Sequence, residues 1–168
     1  SYGGEIIAEL PANKVVLDPF GEGKGGTVVA CMYKVPEEGN SCILYGLYDS
    51  SSGRELVPCS RKEGYPINEE RFVLKDTCLI GPEYDDFAAI YDKNGNVVCD
   101  GGKYQDIDFT YGSSYGIGFA ISPTDTYYNV INTDGKAVGG KYDSIDKDAD
   151  GNFVCKKGDQ TETIKSAK

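Results

Sequence analysis

The chain has 168 residues, of which 27 are acidic and 17 basic, for a net charge of −10. That balance repels phosphate backbones, and no Lys/Arg run exceeds two residues, so the basic footprint that nucleic-acid binding requires is missing. The longest apolar run, Val28–Tyr33, has six residues, far short of the roughly 20 that a helix needs to cross a bilayer, so no membrane insertion is expected.

Thirteen Tyr, 22 Gly and many Val and Ile suit pleated strands joined by tight turns. Gly and β-branched residues interrupt nearly every window in which a 3.6-residue stripe would show. In chain order, Gly4-Glu5-Ile6-Ile7 predicts a strand whose usual partner does not precede it. The run Gly21–Thr27 is rich in glycine but lacks the Gly-Lys-Ser/Thr ending of a phosphate loop, and a strand rather than a helix follows, so it reads as a hairpin connection. Thr27–Tyr33 is the next strand. Leu47–Val57 then reads as strand, turn at Gly53, strand, with Phe72–Lys75 as a third strand. Ile90–Val98 turns at Asn94-Gly95 and is followed by Ile117–Ile121. Val130–Val138 turns at Asp134-Gly135 and is followed by Phe153–Lys156. The Asn-Gly and Asp-Gly pairs predict two-residue hairpin turns with positive φ. Gln160–Ile164 is the last strand, expected to lie beside Glu5–Ala8 and cover an open sheet edge.

These segments repeat. Gly101–Asp108 (GGKYQDID) and Gly139–Asp146 (GGKYDSID) agree at six of eight positions, 38 residues apart. The turn glycines Gly53, Gly95 and Gly135 are spaced by 42 and 40 residues. The expected fold is therefore all-β, with about four three-stranded repeat units of roughly 40 residues in one domain. The units divide as a half unit 1–42, units at about 43–86, 87–125 and 126–157, and a closing strand 158–168. They would form either a closed, propeller-like ring or an open, solenoid-like stack.

Tyr45-Gly46-Leu47-Tyr48-Asp49, followed by Gly53-Arg54-Glu55-Leu56-Val57-Pro58, resembles the WG repeat family. Ile90–Val98 with Lys103–Ile107, and Val130–Val138 with Lys141–Ile145, are similar to it as well. The family's Trp-Gly pair reads Tyr45-Gly46, Ala88-Ala89 and Tyr128-Asn129 here, so the copies are degenerate. The resemblance implies β-rich repeats with a binding or interaction role and brings no catalytic residues.

Six cysteines occur, at 31, 42, 59, 78, 99 and 155, with no CxxC pair and no His. Buried thiols are expected in preference to disulfides or a zinc site. Without His, a Ser or Cys nucleophile lacks its usual base. Asp146-Lys147-Asp148-Ala149-Asp150-Gly151-Asn152 has the D-x-D-x-D-G form of a calcium loop, in which Asp146, Asp148, Asp150 and the Asn152 carbonyl would be ligands. Its twelfth position is Lys157 instead of Glu and no helices flank it, so a solvated acidic turn is the competing reading. Glu83, Asp85 and Asp86 form a second acidic group, to be read as a solvated face or as the acid–base pair of a hydrolase. Tyr48, Tyr91, Tyr104 and Tyr142 hold matched positions and are expected in the core. Tyr111, Tyr115, Tyr127 and Tyr128 lie off that pattern and are the candidate ligand-binding residues. The function expected is a non-catalytic binding module with a protein partner. Carbohydrate binding through exposed Tyr and a carboxylate-dependent hydrolase are the alternatives, and an extracellular or cell-envelope setting is favoured.

Overall fold

A computed structural model describes residues 14–17, 26–34, 42–76, 87–122 and 124–166. Among the described residues fourteen strands form four antiparallel sheets, and none of these residues is helical. The first sheet is β1 (Lys14–Leu17), β2 (Thr27–Lys34), β3 (Cys42–Asp49) and β4 (Arg54–Arg61). The second is β5 (Glu63–Asn68), β6 (Arg71–Asp76), β7 (Phe87–Asp92) and β8 (Val97–Cys99). The third is β9 (Asp106–Asp108), β10 (Tyr115–Ser122) and β11 (Asp125–Asn132), with an Ile131–Ala137 bridge beginning a fourth position. The fourth is β12 (Ser144–Lys147), β13 (Phe153–Lys157) and β14 (Gln160–Ile164). Each sheet is a meander, its strands paired in the order of the chain.

Side-chain alternation packs these sheets face against face. Val29 and Leu47 of the first sheet meet Phe72, Leu74, Ala89 and Tyr91 of the second. The other face of the second sheet, with Ile67, Val73, Ala88 and Ile90, meets Ile107, Ala120 and Ile131 of the third, together with Tyr104 just ahead of β9. On the opposite face of the third, Val130 and Ile117 meet Phe153, Cys155, Ile145 and Ile164 of the fourth. A sheet covered on both faces needs apolar residues at consecutive positions rather than alternate ones. Accordingly Phe72, Val73, Leu74 and Lys75 are all buried, as are Ala88 through Tyr91. Ala30, Tyr48 and Cys59 form a further buried cluster on the face of the first sheet turned away from the second. No cluster of described residues joins the fourth sheet to the first. The described sheets form no closed barrel or propeller. The expected pairing of Gln160–Ile164 with Glu5–Ala8 lies outside the described residues; β14 itself pairs with β13.

Two expectations are corrected. The sheets have three or four strands, because Glu63–Asn68, Asp106–Asp108 and Ser144–Lys147 each begin a sheet. The strands read as third in each unit are second in a sheet, so those units run from the middle of one sheet to the middle of the next. The turns also differ. Among the described residues none other than Gly has positive φ, so Asn94 and Asp134 do not form the predicted two-residue turns. Each turn is one residue longer: Gly95 N donates to Asp92 O at 3.0 Å and Gly135 N to Asn132 O at 2.8 Å. The glycines themselves have φ of 82° and 70°, the geometry of a type I turn closed by a glycine bulge. The cause is the residue that opens the turn. Asp92 Oδ1 accepts from Asn94 N and Asn96 N, and Asn132 Oδ1 accepts from Asp134 N and Lys136 N.

The two Gly-Gly-Lys-Tyr stretches converge only at their ends. Gly139 has φ of 97° whereas Gly101 has no positive φ. Yet Tyr104 and Tyr142 are both buried, and the residue after each bonds the second strand of its own sheet: Gln105 N donates to Phe119 O of β10 and Asp143 N to Lys156 O of β13.

Candidate functional site at the turn end of the stack

In a meander, the first-to-second and third-to-fourth connections fall at the same end. The turns at 49–53, 68–71, 92–96, 109–114, 132–136 and 148–152 therefore share one edge of the stack. Polar contacts tie them across the sheets. Thr27 Oγ1 donates to Lys93 O, and Lys93 Nζ pairs with Glu70 at 2.8 Å. Arg71 donates through Nε and Nη2 to Asp134 Oδ1, at 3.1 and 2.9 Å, and through Nη1 to the Glu70 carbonyl. Gly112 N donates to Ile67 O, and Lys147 Nζ donates to Thr110 Oγ1.

Between the second and third sheets these turns leave an open groove of about 580 Å³, lined by Asn68, Glu69, Glu70, Arg71, Tyr111, Gly112 and Thr133. Tyr111 is 47% exposed and supplies its aromatic wall. Of the four tyrosines singled out in the sequence, only Tyr111 lines it. Tyr115 packs between the third and fourth sheets. Tyr127 packs toward the second sheet, with Lys141 Nζ 3.8 Å from its ring centroid. Tyr128 lies on the opposite face of β11, its ring 4.8 Å from that of Phe119. The four do not form one surface. The exposed large apolar residues, Ile43, Val97, Tyr111 and Ile121, belong to four separate elements, so the described residues show neither a row of tyrosines nor a broad apolar patch. Sequence reasoning missed Arg71, Asn68 and Thr133; Ile67-Asn68-Glu69-Glu70 carries a turn signal, but nothing in the sequence joins Arg71 to Asp134.

Asp146, Asp148, Asp150 and Asn152 are close in sequence but do not converge. Asp146 pairs with Lys156 at 3.6 Å. Asp148 accepts from Asp150 N and Asn152 N through Oδ1 and from Asn152 Nδ2 through Oδ2. These bonds, led by that from the Asn152 side chain, hold the Asp148 carboxyl below its ordinary pKa. The frame matches that of Asp92–Asn96, where Asn96 Nδ2 likewise donates to Asp92 Oδ2. Among the described residues no three of Asp, Glu and Cys gather to hold a metal ion. Glu83, Asp85 and Asp86 lie outside the described residues. Cys99 and Cys155 are buried thiols, and burial raises the pKa of both, that of Cys155 to about 11.

Gly46 of β3 has a physical reason to be there. A Cβ on it would sit 2.5 Å from Val57 O and 2.7 Å from Cys59 N, because β4 bulges against β3. In β11, Asn129 is buried and its Nδ2 donates to Gly140 O at 2.7 Å. Compared with known protein families, curated proteins and solved structures, the chain matches none.

Proposed function

We propose that the chain is a non-catalytic binding module of the WG repeat type, that its sheets are successive copies of one degenerate repeat, and that it engages a protein partner through the turn end. The observation that carries this reading is the groove between the second and third sheets, where Tyr111 and Arg71 stand together. Tyr and Arg are over-represented among the residues that dominate binding energy at protein interfaces. The walls come from three turns braced by the Arg71–Asp134 and Lys93–Glu70 pairs, so little side-chain freedom is lost on binding. Carbohydrate is the second reading, favoured by the Tyr111 ring standing beside the amide and carboxylate side chains of Asn68 and Glu69. The immobilised chain, screened in parallel on peptide and glycan arrays, tests both. The proposal expects peptide ligands whose signal falls at least about tenfold in Tyr111→Ala, as for loss of a hot spot. Glycan ligands lost in that variant would instead establish the second reading. Binding that ignores both Tyr111→Ala and Arg71→Ala would remove the groove from the account.

A further inference from the structure

We infer that Asn94 is the deamidation site of this chain and that the Asp92-centred turn protects it. Asn94 is the only Asn followed by Gly in the sequence, and it lies exposed at the tip of the β7–β8 turn. In the reaction the Gly95 backbone nitrogen forms a bond to Asn94 Cγ. The Cγ–Nδ2 bond breaks, and ammonia leaves carrying the proton lost from Gly95 N. Water then opens the resulting five-membered imide. Opening at the side-chain carbonyl yields Asp, and opening at the backbone carbonyl yields isoaspartate, with one added backbone carbon. No oxidant or cofactor takes part.

The fold acts on both halves of this sequence. Gly95 N, the attacking atom, is engaged as a donor to Asp92 O at 3.0 Å. Asp92 Oδ1 fixes the neighbouring Asn94 N and Asn96 N, at 2.8 and 2.9 Å, and the Asp92 N to Asn96 O bond closes the loop. Attack therefore waits for the turn to open, an event governed by local stability. The Asp product fits the native turn. The same place in the equivalent turns is Asp134 and Asp150, whose backbone nitrogens make the bond that Asn94 N makes. Isoaspartate does not fit, because its extra backbone atom moves Gly95 N off Asp92 O and Asn96 N off the Asp92 carboxylate.

The test is peptide mapping by mass spectrometry after incubation at mildly alkaline pH, with a fragmentation that separates Asp from isoaspartate. The 94–95 peptide should gain one mass unit in denaturant at least about tenfold faster than in the folded protein, the ratio set by the opening equilibrium. Asp92→Ala should deamidate faster than the folded wild type, measured alongside circular dichroism to confirm that it is folded. Asp92→Asn should keep the protection, since Asn132 performs the same service in the third sheet. Asn94→Asp should melt with the wild type, whereas the isolated isoaspartyl form should melt lower. Equal rates in folded and denatured wild type, or a folded Asp92→Ala as slow as the wild type, would overturn the protective role. No mass gain at 94 in denaturant would overturn the site itself.

Discussion

The second and fourth sheets use the same meander and differ in what lies on their faces. In the second, β6 and β7 bury four successive residues each, and even Lys75 is only 7% exposed. Its ammonium is satisfied there by Asp106 at 2.9 Å, Glu63 at 3.6 Å and the Ile107 carbonyl. In the fourth, Phe153 and Cys155 are buried while Asp146, Lys156, Thr161 and Thr163, on the other face, are exposed. The fourth sheet thus presents a polar face on the side turned away from the third. The lesson is that strand sequence here records a sheet's place in the stack as well as its pairing.

The largest difference should come from truncating the core. Ile90, fully buried between the second and third sheets, should cost about 2–5 kcal/mol as Ile90→Ala, by analogy with other buried aliphatic truncations. Val154, half-buried on the outer face of the fourth sheet, should cost less than about 1 kcal/mol as Val154→Ala. Urea denaturation measures both. Similar losses at the two positions would mean that the outer face of the fourth sheet is covered.

A finer comparison uses one turn in two settings. Gly135 and Gly151 share positive φ, 70° and 81°. A Cβ at Gly135 would meet Cys99 Sγ at 2.4 Å, whereas at Gly151 nothing lies within 4 Å. Gly151→Ala should therefore cost only the left-handed backbone penalty, about 1–2 kcal/mol. Gly135→Ala should add an overpacking cost of about 1–3 kcal/mol, because the second sheet must give way. Equal thermal shifts would place the two turns in like surroundings.

The smallest effect concerns alkaline pH. Burial raises the Tyr104 hydroxyl from its ordinary 10.0 to about 12. Its folded-state pKa is the higher one, so the stability tied to its protonated form is complete below pH about 10 and declines as pH rises toward 12. Tyr104→Phe keeps the ring and should flatten that decline in pH-dependent melting. An unchanged slope would assign the alkaline loss to other groups, such as Tyr142, which is raised by burial and by its hydrogen bond to Glu162.

The sequence made some of this legible for physical reasons. Gly53, Gly95 and Gly135 mark the turns because no other described residue type adopts positive φ, and β2, β6, β10 and β13 are legible as apolar runs. The strand that opens each sheet was hidden. β5 contains Gly64 and Pro66, residues that argue against a strand. Pro66 is tolerated because β5 is an edge. Gly64 is required because a Cβ there would lie 2.7 Å from Leu74 and 2.9 Å from Tyr45. β9 and β12 are too short for alternation to show. Tyr111 was legible as an off-pattern aromatic, but its groove was not. Arg71 and Asp134 are 63 residues apart and meet only because their turns share an end of the stack. In the D-x-D-x-D-G segment the Asp148 carboxylate accepts from backbone nitrogens as Asp92 does, a role that the alternating acidic pattern does not announce.

Native-state hydrogen exchange, resolved by peptide, tests the layered arrangement most directly. Amides of Arg71–Asp76 and Phe87–Asp92, shielded on both faces, should be the last to exchange, and those of Gln160–Ile164 on the exposed edge of the fourth sheet should be among the first. Exchange from β6 and β7 as early as from β14 would contradict a stack in which the second sheet is an interior layer.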